Sequence, residues 1–172
     1  MAYERTPGPA FESPLHWPLD SSLEPNESNG TLIVFAHPYC PCSRAGLTKL
    51  EHALAVCEAR PACYVFLSPM RSTNDSLDDA TNCRIARRIT SAPLQVDTYG
   101  AEAKRFGATT SGFVLFYDAH GRLRFAGGVT AERGGEQECV YEQALVEVMT
   151  KPRYPLVNTP VFGCPLVRRT SG

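Results

Sequence analysis

The feature that most constrains this chain is an apolar strand pattern that leads into a turn with two cysteines and then into a helix. Residues 31–36 form a nearly continuous apolar run, typical of a central strand covered on both faces. The turn holds Cys40, Pro41 and Cys42, and from about 43 to 56 apolar residues recur at helical spacing. Proline is tolerated in a first helical turn because its missing N–H has no partner there. The sequence therefore predicts a dithiol at a helix N-terminus.

The remaining patterns alternate between strand and helix. They predict, in order, a strand at 62–67, a helix at 78–89, a short strand at 94–97, a short helix at 101–106, a hairpin of 113–117 with 122–126, and a helix at 137–149. A β-α-β unit followed by a hairpin and a helix favours a mixed sheet with helices on both faces. We therefore expect an α/β protein with a mixed central sheet.

Prolines and glycines separate both ends of the chain from this patterned middle. Residues 1–30 are expected to form an extended arm, which Phe11 and Trp17 could attach to the domain. Residues 31–151 are expected to form the domain, and residues 152–172 an irregular tail that contains Cys164. A chain of 172 residues is long enough to bury one substantial core.

Charge and hydropathy argue against several classes of function. The net charge of -1 offers no basic excess to neutralise phosphates, so we expect no nucleic-acid partner. No apolar run reaches the roughly 18 residues that a membrane span needs, and the first 30 residues lack a signal-peptide pattern. The paired glycines at 127–128 and 134–135 lack the strand-to-helix context of a phosphate loop, and no organic cofactor is indicated.

Seven cysteines are present, and an odd number cannot all pair within the chain. The scattered ones are interpreted as small buried hydrophobes; they are Cys57, Cys63 and Cys83. Cys139 lies at helical spacing, which favours packing, although it is also a candidate partner for Cys164. Cys164 itself has two interpretations. It is either a tail thiol without a role or a third redox cysteine that folds back to the dithiol.

The dithiol has the chemistry for disulfide exchange. A cysteine at a helix N-terminus has its thiolate stabilised by unpaired backbone N–H groups, and the thiolate is the attacking species. We expect Cys40, which precedes the helix, to be the more exposed and to attack. Cys42, inside the first turn, is expected to resolve the mixed disulfide. Three residues are candidates for tuning the site: Arg44, which adds positive charge nearby, His37, and Pro41 between the two cysteines.

Several motifs of the chain also resemble a known family. The stretch from Phe35 to Cys42 resembles the thioredoxin active site, with one residue fewer between the cysteines. Four motifs together resemble the bacterial RedB-like thioredoxin-fold proteins; they are His37 to Ala45, Thr109 to Gly112, Gly127 to Thr130 and Phe162 to Pro165. The resemblance covers about residues 3–166.

The resemblance implies a thioredoxin-like fold and a thiol–disulfide oxidoreductase that acts on a protein thiol or disulfide partner. RedB-like proteins often carry an N-terminal membrane anchor, and the stretch from Tyr3 to Pro9 is similar to the segment directly after that anchor. This implies an extracytoplasmic, anchored protein whose anchor is absent from this chain.

Two departures from ordinary thioredoxin affect the expected site. With one residue between the sulfurs, the disulfide ring is expected to be strained, and so more oxidising than the roughly -270 mV of thioredoxin. Ser111 and Gly112 stand where thioredoxins have a cis-proline, which shapes the substrate groove and keeps metals off the dithiol. These two residues are expected to hold the substrate strand. The missing proline leaves an alternative open, a copper- or zinc-binding module with His37, Cys40 and Cys42 as ligands and Cys164 as a fourth.

Overall fold

The structure is a computed structural model that describes residues 6–68, 80–135, 137 and 139–166. The elements in these residues are β1 (Thr31–Ala36), α1 (Pro41–Ala55), β2 (Ala62–Leu67), α2 (Thr81–Ile89), β3 (Gln95–Val96), α3 (Ala101–Arg105), β4 (Phe113–Tyr117), β5 (Leu123–Gly127), α4 (Val140–Thr150) and β6 (Val157–Asn158). None of the helices in the described ranges is long and apolar enough to cross a membrane.

The strands form one mixed sheet in the order β3-β2-β1-β4-β5-β6. Strand β1 pairs in parallel with β2 and antiparallel with β4, and β4 continues antiparallel into β5. All residues of β1 and β4 are buried, which explains why both read as continuous apolar runs. The predicted α/β fold with a mixed central sheet and helices on its faces is confirmed. Because β1 is a central strand, the turn that follows it lies at the end of the sheet where β1 terminates, midway between the two edge strands.

The sheet has a hydrophobic core on each face. One core is formed with α1, α2 and α4, through side chains such as Leu50, Ile89 and Leu145. The opposite core is formed with α3 and includes Ala103 and Phe106. The alternation of β1 divides its side chains between the two cores. Helices therefore cover both faces, as the sequence pattern predicts.

Two sequence predictions differ from the structure near the C-terminus. Helix α4 begins at Val140 rather than at 137, and Val140 is 67% exposed. Cys139 caps the helix in an extended conformation, so the inward face starts later, with Leu145 and Val148. The tail, expected to be irregular, contributes the two-residue strand β6, which pairs in parallel with β5. A strand this short has no periodicity to detect.

Candidate dithiol site

The dithiol lies where β1 ends and α1 begins. Cys40 is the N-cap residue, with an extended backbone at φ -83° and ψ 123°, and the helix starts at Pro41. The Arg44 N–H donates to the Cys40 carbonyl at 3.1 Å, which closes the first helical turn. The backbone N–H groups of Cys42 and Ser43 are directed at the Cys40 sulfur. The unpaired donors of a helix N-terminus are thus used to bind a thiolate.

The two thiols are strongly unequal as acids. The hydrogen bond from the Cys42 thiol, followed by the Ser43 N–H and the Cys164 thiol, lowers the pKa of Cys40 from 9.0 to about 4, although burial acts in the opposite direction. The same bond to Cys40, together with burial and the neighbouring negative charge, raises the pKa of Cys42 above its ordinary value. The negative charge therefore resides on Cys40 and the proton on Cys42.

The prediction that Cys40 is the more exposed thiol is wrong. Cys40 is 4% exposed and Cys42 is 9% exposed, so both are buried. The cause is the tail, which crosses in front of the dithiol and places the Cys164 sulfur 3.5 Å from that of Cys40. This contact joins residues 124 positions apart and brings Cys164 back to the dithiol, as one of the two interpretations of Cys164 expected.

The tail lies along the segment that the sequence assigned to the substrate groove. The Ser111 N–H donates to the Cys164 carbonyl at 2.7 Å, and the Cys164 N–H donates to Ser111 Oγ at 2.9 Å. Thr110 and Pro165 form an antiparallel bridge, and the Leu166 N–H donates to the Thr109 carbonyl at 3.0 Å. The tail is therefore held as a short antiparallel strand.

Ser111 also faces the dithiol, with its hydroxyl 3.9 Å from the Cys40 sulfur. The next residue, Gly112, has φ +87°, a conformation that favours glycine, and its N–H donates to the Phe35 carbonyl at 2.7 Å. This bond ties the groove segment to the end of β1. Ser111 and Gly112 thus lie beside the dithiol, and Ser111 binds the tail.

Of the three candidates for tuning the site, Pro41 is the first residue of α1, and His37 and Arg44 occupy different settings. The His37 N–H donates to Ser43 Oγ at 3.0 Å, and His37 Nδ1 accepts from the Tyr39 N–H at 3.2 Å. These bonds order the turn before Cys40. Arg44 is exposed on α1, whereas the cation whose charge acts on the Cys42 thiol is Arg133.

Arg133 lies in the loop between β5 and α4. It is only half-buried, and its guanidinium donates to the Gly163 carbonyl at 2.5 Å. That carbonyl belongs to the residue directly before Cys164. Arg133 therefore anchors the tail, a role for which the sequence carries no signal.

Asn82 is a site residue that the sequence reasoning missed. It lies near the start of α2, is 3% exposed, and donates through Nδ2 to the carbonyls of His37 and Cys40, both at 2.9 Å. The turn that presents the thiolate is thus held from behind by one amide. A signal existed, because Asn82 falls at helical spacing with the buried Ile85 and Ile89, and a polar residue on an apolar face needs a buried partner.

The metal-site alternative gains no support from the geometry. Among the described residues, no three side chains of His, Cys, Asp or Glu are grouped so that they could hold a metal ion. His37, Cys40 and Cys42 are therefore not brought together as ligands. Met70, another soft donor in the sequence, lies outside the described residues.

The remaining cysteines are structural. Cys57, Cys63 and Cys83 are buried, as expected, and burial raises the pKa of the Cys63 thiol to about 12. The Cys139 thiol donates to the Val129 carbonyl at 3.1 Å, so it packs locally instead of pairing with Cys164. All seven cysteines lie within the described residues, and none forms a disulfide in the structure.

Comparison with known proteins supports the fold and is silent on the reaction. No family model and no curated protein matches the sequence. The chain is similar to a hypothetical protein of Sinorhizobium meliloti 1021, at 18% identity and a TM-score of 0.67, over 94% of this chain and 98% of the other. It is also similar to an uncharacterized conserved protein of Geobacillus kaustophilus, at 16% identity and a TM-score of 0.63, over 96% and 100% of the two chains.

A looser match is a secreted disulfide oxidoreductase of Mycobacterium tuberculosis, homologous to DsbE of E. coli. It aligns at 13% identity and a TM-score of 0.48, over 71% of this chain and 81% of that chain. A likeness at this level does not bear on function. The two fuller matches extend over nearly the whole chain, so the arm and the tail are part of the shared architecture.

Proposed function

We propose that this protein is a thiol–disulfide oxidoreductase that uses Cys40 and Cys42 on a protein partner. The observation that carries the proposal is the placement of Cys40 at the N-terminus of α1 with the Cys42 thiol and two backbone N–H groups directed at its sulfur. Such a sulfur is a thiolate at neutral pH, and the thiolate is the nucleophile of disulfide exchange.

The residues divide the reaction into two steps. The Cys40 thiolate attacks one sulfur of the partner's disulfide, forms a mixed disulfide, and releases the other partner sulfur as a thiolate. Cys42 then loses its proton and attacks the Cys40 sulfur, which forms the Cys40–Cys42 disulfide and releases the second partner thiolate. Two electrons pass from the dithiol to the partner, and the reverse sequence oxidises a partner dithiol.

A trapping experiment tests the assignment of roles. Reduced Cys42→Ser/Cys164→Ser protein, offered a disulfide-bonded model peptide, should accumulate a one-to-one mixed disulfide on Cys40, because neither of the two thiols next to the Cys40 sulfur remains to resolve it. Cys40→Ser should trap none, and Cys139→Ser, which alters a packed cysteine, should turn over like the wild type. Equal trapping by the two active-site variants, or trapping by neither, would contradict the proposal.

The redox potential gives a second test. A stabilised Cys40 thiolate favours the reduced form, and a single residue between the sulfurs strains the oxidised form. Both effects favour a couple more oxidising than thioredoxin. Equilibration with glutathione buffers should give a potential above roughly -270 mV, and a value at or below it would count against this part of the proposal.

Membership of the RedB-like group and an extracytoplasmic location are proposed on narrower grounds. The four motifs support the membership, and the stretch from Tyr3 to Pro9, which is similar to the segment after a membrane anchor, supports the location. Residues from three of the four motifs lie together in the structure: Cys40 and Cys42, Ser111, and Cys164. Fractionation of the native protein, followed by immunodetection, tests the location. Recovery in the cytoplasmic fraction would contradict it.

A further inference from the structure

The segment 162–166 occupies the dithiol groove in the manner of a peptide substrate. It runs antiparallel to residues 109–111, is held by main-chain hydrogen bonds, and presents a cysteine sulfur 3.5 Å from the Cys40 sulfur. Main-chain pairing with alternate side chains in contact is how extended peptides are recognised at an open strand. Here the place is taken by the protein's own chain.

The fit of this segment depends on a glycine beside the reactive cysteine. A Cβ added to Gly163 would overlap the carbonyl oxygen of Ser111 and would lie 2.8 Å from Ser111 Oγ. Because the obstructing atom belongs to the backbone, relieving the overlap would require a shift of the backbone rather than the rotation of a side chain. On the other side, Arg133 holds the Gly163 carbonyl. The glycine therefore lets the tail approach closely enough for the sulfurs to meet.

We propose that the tail is a resident substrate of the groove, in which Cys164 is a third redox cysteine that forms a disulfide with Cys40 and covers the site until a partner displaces it. The proposal rests on the proposed function in one respect, that Cys40 is the nucleophile. The sulfurs need to move from 3.5 Å to the roughly 2.05 Å of a disulfide bond.

The chemistry balances with an external disulfide as oxidant. The Cys40 thiolate attacks that disulfide, forms a mixed disulfide, and releases one thiolate. The Cys164 thiol then gives up its proton and attacks the Cys40 sulfur, which forms the Cys40–Cys164 bond and releases the second thiolate. The two thiols of the chain are oxidised by two electrons, and the external disulfide is reduced to two thiols. Later attack of Cys42 on the Cys40 sulfur would move the disulfide to Cys40–Cys42 and restore the Cys164 thiol.

Mass spectrometry of the full chain tests the bond. Reduced Cys42→Ser protein is treated with glutathione disulfide, digested with trypsin without reduction, and searched for the linked peptides 6–44 and 154–168, which contain Cys40 and Cys164. We expect this link in monomeric protein. The double variant Cys42→Ser/Cys164→Ser should stop at a glutathione adduct on Cys40, and Cys42→Ser/Cys139→Ser should still form the link.

The outcomes separate this inference from the proposed function. A persistent glutathione adduct on Cys40 in Cys42→Ser, with Cys164 reduced, would overturn the inference and leave the oxidoreductase proposal standing. If Cys40 takes up glutathione in none of the variants, including Gly163→Ala, whose added Cβ should displace the tail, both the inference and the oxidoreductase proposal would be overturned.

Alkylation kinetics test the covering role. Gly163→Ala should displace the tail and raise the rate of Cys40 alkylation by iodoacetamide roughly tenfold, the change in population expected from losing one or two hydrogen bonds. Gly46→Ala is the matched control, because its added Cβ meets only Val129 Cγ2, at 4.0 Å. A rate in Gly163→Ala equal to that of the control, with native circular dichroism in both, would overturn the covering role.

Discussion

The arm and the tail are both proline-rich and both pair with the main chain of the domain, yet aromatic packing adds more to the attachment of the arm. The arm pairs with the main chain through a bridge between His16 and Arg122, and it adds extensive apolar packing, in which Trp17 stands edge-on to Phe106 and Tyr117 with ring centroids 5.3 Å apart in each case. The tail beside the dithiol is held by main-chain pairing to Ser111 and by the Arg133 guanidinium. Side-chain burial gives stability over a wide area, whereas a few main-chain bonds can be broken and remade.

The difference separates two tasks that similar compositions perform. The arm covers the core formed with α3, and Leu23 is buried there. The tail covers a charged sulfur. Changes in the packing of the arm should therefore alter the free energy of unfolding without altering Cys40, whereas changes near the tail should act mainly on Cys40 and less on the free energy of unfolding. Perturbing each region in turn tests this division. The expected effects on the free energy of unfolding are largest for a change of pH and smallest for the loss of one exposed ion pair.

The largest effect is expected from pH, on the side of the dithiol. Because the pKa of Cys40 falls from 9.0 to about 4 on folding, the thiolate contributes stability that is complete above pH 9 and is lost as the pH falls through 4. The unfolding free energy of reduced wild-type protein, relative to Cys40→Ser, should rise between pH 5 and pH 8 by up to about 4 kcal/mol, the limit for one proton over three pH units.

Urea titrations at several pH values measure this difference. Subtracting the unfolding free energy of Cys40→Ser removes the contribution of the carboxylates, because their titration is common to both proteins. Trp17→Ala provides the comparison from the arm, since its effect should be the same at each pH. A flat difference between wild type and Cys40→Ser would show that Cys40 is not a stabilised thiolate.

The next effect is expected from Trp17→Ala, on the side of the arm. Loss of a half-buried ring packed against two aromatic neighbours should lower the unfolding free energy by about 3 kcal/mol. Circular dichroism is the probe of choice, because this is the single tryptophan of the chain. The alkylation rate of Cys40 should be unchanged under native conditions, and a rise comparable to that of Gly163→Ala would remove the distinction between arm and tail.

A smaller effect on stability is expected from Arg133→Gln, which weakens the anchor of the tail. Loss of the charged hydrogen bond to the Gly163 carbonyl should cost about 1 kcal/mol and should raise Cys40 alkylation several-fold. Arg133 has two effects: its guanidinium binds the Gly163 carbonyl, and its positive charge acts on the Cys42 thiol. Arg133→Lys keeps the charge and so separates the two effects. If Gln and Lys behave alike, the geometry of the guanidinium matters more than its charge.

The smallest effect is expected from Asp20→Asn in the arm. Its carboxylate accepts from Arg105 at 3.0 Å, but the pair is solvent-exposed and screened. The urea midpoint and the Cys40 alkylation rate should both stay within experimental error. A clear loss of stability would mean that ion pairing, and not aromatic packing, attaches the arm.

Much of the fold was predictable because its signals are local. Strands β1, β2 and β4 have the predicted bounds, since a strand buried on both faces appears as an uninterrupted apolar run. The start of α4 was placed three residues early, because nothing in the apolar period marks Cys139 as the cap. Strand β6 escaped prediction because two residues carry no period, and only the open edge of β5 makes them a strand.

Of the candidate site, the position of the dithiol was determined by the sequence alone. A buried strand, a turn with Cys40 and Cys42, and an amphipathic helix suffice to place two sulfurs at a helix N-terminus, because each signal lies within a few residues of the next. Only the tertiary structure decided what surrounds them: Asn82 behind the turn, Ser111 beside it and Cys164 in front of it. Those contacts join distant parts of the chain through main-chain pairing and buried polar bonds, which leave no periodic trace in the sequence.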